Sequence, residues 1–130
     1  MSRYTIRHEH LGPWPVVAMI DTDSGTTVRL ARRGATLLEY LLPLADHMHD
    51  LADGYAGTGD LEALSGARFA IMCPFANRVA DARYRFDGKA HDLKPGADEA
   101  ERGIMHGFVQ DADFELISVD SDDDGACVRL

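Results

Sequence analysis

In "CPFANRVADARYRFDGK", residues 73 to 89, an amide and a guanidinium stand side by side just after a proline. Asn77 offers donors and acceptors together, and Arg78 offers a forked, permanently charged set of donors. Such groups are suited to reading hydroxyls or a ring oxygen. Further on, "IMHGF" sets His106 between Met105 and Gly107, an apolar setting in which a titratable ring needs a partner. The glycine that follows permits close approach by a ligand. Each residue also has a plainer reading, Arg78 as a surface ion-pair partner and His106 as a satisfied core histidine. From spacing alone the chain carries a candidate polar site and no named reaction.

Other groups invite chemistry less strongly. His8-Glu9-His10 and His47-Met48-His49 put imidazoles at i and i+2, which on a strand point the same way. Neither has a third ligand nearby and neither is a helical HExxH, so we read both as solvent-facing and assign no metal. Asp120-Ser121-Asp122-Asp123-Asp124-Gly125 matches the opening of a calcium loop, but the runs around it read as strands where such loops have helices. An acidic hairpin turn is the better reading. The glycine loops of nucleotide sites and the G-x-S-x-G elbow of serine hydrolases do not occur. Cys73 and Cys127 are too few and too far apart for a disulfide framework, and we expect two buried or half-buried thiols.

The elements that must position these residues read mostly as strands. Val16 to Ile20, a turn at Asp21 to Gly25, and Thr26 to Leu30 form a hairpin signature. "GATLLEYLLPL" suits a short helix by composition or a strand by its bounds at Gly34 and Pro43, and periodicity does not arbitrate. Ala45 to Gly66 reads as a long surface loop with a turn of helix near Leu61 to Leu64. "RFAIMCPF" reads as a buried strand ending at Pro74. "ARYRFDGKAHDL", turning at Asp87-Gly88, is the clearest hairpin, and "DFELISVDSDDDGACVRL" is another.

Composition limits the partners. The chain has 130 residues, 45% of them hydrophobic, enough for a core, and one domain is the default expectation. With 13 Lys+Arg against 22 Asp+Glu the formal charge is -9, which repels phosphate backbones and anionic lipid. We therefore expect no nucleic acid and no membrane partner. No leader-like apolar segment opens the chain and no run approaches the ~18 residues of a span, so the expected location is cytoplasmic. The last strand, "ACVRL", reaches Leu130 without a closing turn, so an exposed sheet edge is expected there. Either further chain of a larger sandwich or self-association with a second copy would cover it.

The run from Gly66 to Phe108 resembles the N-terminal half of the aldose 1-epimerase (galactose mutarotase) family. There a strand leads to an Asn-Arg-[Ile/Val] motif, then a hairpin reading y-x-f-d-G-k-x-y-x-L, then a polar loop and a His-Gly pair. Upstream, "VRLARRGATLLEYLLP" resembles the family's early G-A-x-[LIV] strand, and the similarity spans about residues 15 to 120. The resemblance implies an all-β fold, an antiparallel β-sandwich of which residues 1–130 are the N-terminal portion of a single domain. It implies a free hexose as partner and interconversion of its α and β anomers by ring opening, with no cofactor and no metal. Carried over, Arg78 and His106 contact the sugar near its ring oxygen, Asn77 orients the site, and Arg83 to Leu93 is scaffold beside it. Family members run to about twice this length or more. The second histidine and the glutamate credited with acid and base roles lie C-terminal to this chain, which leaves His106 as its one catalytic candidate. Glu39, Glu62, Glu99, Glu101 and Glu115 match no catalytic position. A carbohydrate-binding module without turnover, and an epimerase of a phosphorylated hexose, are the alternatives.

Overall fold

The computed structural model describes residues 2–93 and 104–130. They fall into two compact units, Met1–Ile71 with Gln110–Leu130, and Met72–Val109. Both are built from antiparallel ladders, so the chain is all-β as expected. Among the described residues no helix is long and apolar enough to cross a membrane.

The first unit is a five-stranded meander. Strands β1 (Tyr4–Leu11), β2 (Trp14–Asp21), β3 (Thr27–Ala31), β4 (Thr36–Leu44) and β5 (His47–Asp50) pair in chain order. Val16, Val17 and Ala18 of β2 are all buried. Successive strand residues point to opposite faces, so the sheet is covered on both sides at that point. The β2–β3 hairpin falls where the β-branched runs put it, with Val17 opposite Leu30 and Ile20 opposite Thr27. "TLLEYLLPL" is a strand and not a helix, because β3 on one side and β5 on the other supply ladders. Pro43 is tolerated because pairing with β3 stops at Leu41, so its missing N–H breaks no ladder there.

Three expectations fail in the structure. The stretch from Ala45 to Gly66 is no simple surface loop. It holds β5, the helix α1 (Thr58–Glu62) and three core residues, Ala52, Tyr55 and Leu61. Leu61 is fully buried and joins Val16, Ala31, Leu38 and Tyr55, with Leu11 and Trp14 packed against them. Tyr55 also accepts a hydrogen bond at its hydroxyl from the Arg68 amide at 3.0 Å. "RFAIMCPF" is not a buried strand. Phe69, Ile71 and Met72 are exposed, Phe69 has a left-handed backbone (φ 48°), and among the described residues the run's one pairing is a single bridge at Cys73. An apolar run without a ladder partner cannot hold a strand, whatever its composition. Both cysteines are exposed and unpaired, against the expectation of buried thiols.

The chain returns to the first unit after the second. Gly34 donates to the Ala112 carbonyl at 2.7 Å, Phe114 donates to the Arg32 carbonyl at 3.0 Å, and Arg33 bridges Asp113. A Cβ on Gly34 (φ 65°) would meet the Gln110 carbonyl oxygen at 2.1 Å, so this crossing requires glycine. The expected last hairpin follows as β10 (Ser118–Ser121) and β11 (Ala126–Arg129), labelled after the strands of the second unit. The Asp122 carboxylate caps its turn, accepting from the Asp124 and Gly125 amides at 2.8 and 3.0 Å. Its aspartates thus fold the turn, as an acidic hairpin requires. Tyr4 donates to the Asp122 carbonyl and Arg3 to the Asp123 carboxylate, which ties this hairpin to the start of β1.

Candidate functional site

The second unit contains β6 (Arg78–Val79), β7 (Arg83–Phe86), β8 (Lys89–Asp92) and β9 (Ile104–Met105). Its hairpin β7–β8 is the one expected, with Phe86 opposite Lys89 across Asp87-Gly88. Both turn residues have positive φ, 48° and 73°, the backbone of a type I′ turn that an Asp-Gly pair favours. All eight strand residues are exposed, Phe86 at 72%. Tyr84 and His91 stack across the strands at 4.8 Å. A shallow concavity follows this hairpin, but none of Asn77, Arg78 and His106 lines it.

These three residues come together elsewhere in the same unit. Strands β6 and β9 pair antiparallel, Arg78 opposite Met105 and Val79 opposite Ile104. Asn77 therefore just precedes one strand where His106 just follows the other. Two hydrogen bonds join them. The His106 amide donates to the Asn77 carbonyl at 2.9 Å, and the Asn77 amide donates to Nδ1 of the His106 ring at 3.0 Å. Both residues take left-handed backbone conformations, φ 63° and 62°, at a cost of about 1 kcal/mol each. Asparagine and histidine are among the residues that enter this region most readily. Arg78 reaches across to its cross-strand partner, with Nη2 2.8 Å from the sulfur of Met105.

Gly107 has a different use from the one its sequence position suggests. Its φ is 76°, and a Cβ would stand 2.0 Å from the Cys73 carbonyl oxygen. That oxygen accepts from the Phe108 amide at 2.8 Å, and Phe108 meets Phe75 edge to face at 5.6 Å. The close approach belongs to the chain itself. It holds the segment ahead of Asn77 against the segment after His106. His106 is half-buried, while Asn77 and Arg78 are exposed. The result is an exposed cation and an exposed amide beside an imidazole whose ring orientation is set by a main-chain donor.

Sequence reasoning named all three side chains but missed Met105 and the main-chain role of Asn77. Only the strand pairing could have found these. The paired histidines on β1 and β5 are exposed, as read, and no cluster of three metal-ligating side chains occurs among the described residues. Glu99 and Glu101 lie outside the described residues. Glu39, Glu62 and Glu115 belong to the first unit, and the described carboxylates of the second are Asp81, Asp87 and Asp92.

The chain matches the family model described as aldose 1-epimerase over residues 17–130. Among curated proteins none matches it.

Proposed function

This chain belongs to the aldose 1-epimerase family, and from that premise we propose that it binds a free hexose and serves the interconversion of its α and β anomers. The observation that carries the reading is the joined pair Asn77 and His106 with Arg78 next to it on β6. In this reading Arg78 and His106 hydrogen-bond the sugar near its ring oxygen, and Asn77 orients the site. Guanidinium and imidazole both offer N–H groups to an ether oxygen that can only accept.

The chemistry needs two proton transfers. A base takes the proton of the C1 hydroxyl, the electron pair closes the C1 carbonyl, the bond from C1 to the ring oxygen breaks, and that oxygen takes a proton. Rotation about the C1–C2 bond and the reverse steps give the other anomer. Each positioned acid or base contributes about 10²–10⁴-fold. We read residues 1–130 as the N-terminal portion of the catalytic domain, with the acid and the base supplied by further chain. Two exposed, unpaired cysteines suit a reducing, cytoplasmic setting. The outer edge of the β10–β11 ladder is where a second copy would pair, and a single monomeric species in sedimentation velocity at high concentration removes that part of the reading.

A second reading is a binding module without turnover, which would use the same Asn77, Arg78 and His106 contacts. Polarimetry of freshly dissolved α-D-galactose and α-D-glucose near neutral pH, with an NMR titration beside it, tests the sugar reading that both share. Acceleration over buffer means that this chain holds a complete acid and base pair. Binding seen by NMR titration without acceleration means a module or a portion of the enzyme, and absence of both from a folded sample rejects the sugar reading.

A further inference from the structure

We propose that the main-chain amide of Asn77 fixes the neutral His106 ring as the tautomer with its hydrogen on Nε2, which makes Asn77 a positioning residue acting through its backbone. The Asn77 N–H points at Nδ1 from 3.0 Å. A donor there requires Nδ1 to present its lone pair, and a neutral imidazole then carries its one hydrogen on Nε2. A hydrogen on Nδ1 would set two donors face to face, with no acceptor between them.

Three features hold the amide in place. The reciprocal bond from the His106 amide to the Asn77 carbonyl, at 2.9 Å, makes the contact two-pronged. Strand pairing of Arg78 with Met105 fixes the register immediately beside it. Asn77 holds a left-handed φ of 63°, a conformation asparagine takes more readily than most residues. The lock does not depend on the amide side chain of Asn77, which remains available for another task.

The tautomer decides what His106 can do, and here the inference deepens the sugar reading and rests on it for the identity of the acceptor. A neutral ring with hydrogen on Nε2 meets a ligand oxygen as a hydrogen-bond donor. It cannot take the C1 hydroxyl proton at Nε2, which has no lone pair to offer. Giving up the Nε2 hydrogen would leave an imidazolate anion. His106 therefore polarises an oxygen as an electrophile, in the manner of a neutral catalytic imidazole. Both proton transfers fall to other groups.

Long-range ¹H–¹⁵N correlation on the uniformly ¹⁵N-labelled 130-residue chain, near pH 8 where imidazole is neutral, reads the tautomer directly. The His106 signals are assigned by their loss in His106→Gln. The expected pattern is an unprotonated Nδ1 and a protonated Nε2, in the wild type and equally in Asn77→Gly, which keeps both the N–H and the left-handed backbone. A hydrogen on Nδ1, or fast averaging between the two nitrogens, in either protein overturns the inference. Asn77→Val, β-branched at a position of positive φ, is expected to shift the ring toward averaging. If that variant does not fold, the first two samples still decide. Adding D-galactose to the same sample keeps the two questions apart: a locked ring that ignores sugar rejects the sugar reading and leaves the lock standing.

Discussion

At Gly107 a single methyl group would collide with the Cys73 carbonyl oxygen and would also demand a left-handed backbone of an ordinary residue. Gly107→Ala is expected to cost about 2 kcal/mol. The expected readouts are faster hydrogen exchange at the Phe108 amide and loss of the His106 tautomer lock. Arg78→Ala tests the ligand side of the same site. Removing one hydrogen bond from a charged donor, about 1.5–3 kcal/mol, should weaken galactose binding about 10–100-fold. NMR titration measures it, and unchanged affinity removes Arg78 from the site. At this scale residue type was enough to nominate Asn77, Arg78 and His106. It could not reveal that Asn77 works through its N–H, because a main-chain donor is common to every residue except proline.

Among the elements, α1 shows how far a short segment can matter. It spans only five residues, yet it delivers Leu61 into the core beside Val16, Leu38 and Tyr55. Arg33, stacked 4.5 Å over the Trp14 ring, donates to the Glu62 carbonyl at 3.1 Å, which helps hold this helix against the sheet. Leu61→Ala should lower stability by about 2–5 kcal/mol, seen as a lower urea midpoint at unchanged slope. The hairpins were legible because their signals are local. Two β-branched runs flank Asp21 to Gly25, and an Asp-Gly pair stands between alternating strands. Strand β5, "HMHD", was not legible, since all four residues are exposed and polar edge strands show no alternation. "RFAIMCPF" misled for the opposite reason. Its apolar residues advertise burial, but strand formation also needs a partner ladder, and nothing in a run of residues says whether one exists.

For the first unit as a whole, the start of the chain is held by charge. Arg3 donates to both oxygens of Asp21 at 2.9 and 2.8 Å, and the Ser24 hydroxyl donates to the same carboxylate. These bonds, the one from Arg3 foremost, hold the Asp21 carboxyl well below the usual carboxylate range. A carboxylate depressed by folding adds stability that is complete above its unfolded value, about 3.9, and drains away as pH falls below that. Asp50 acts with the same sign, since the Tyr40 and Ala52 amides favour its charged form. Asp21→Asn should be less stable than wild type at pH 7, and the gap should narrow by pH 3, in urea unfolding followed by circular dichroism. The all-β class and the family were legible at this scale from three motifs in order. The split into Met1–Ile71 with Gln110–Leu130 on one side and Met72–Val109 on the other was not, because no composition shift marks where the chain leaves and returns.

That return has a consequence for a chain emerging from the ribosome. The meander β1 to β5 is complete in sequence by Asp50, and the core residue Leu61 follows soon after. Its partners Ala112, Asp113 and Phe114, and the turn that captures Arg3, are made only after the second unit. At about 5–20 residues per second, the stretch from Met72 to Phe114 takes about 2–9 s to synthesise. Throughout that interval the nascent sheet stands with the Gly34 amide and the Arg32 carbonyl waiting for segments not yet translated.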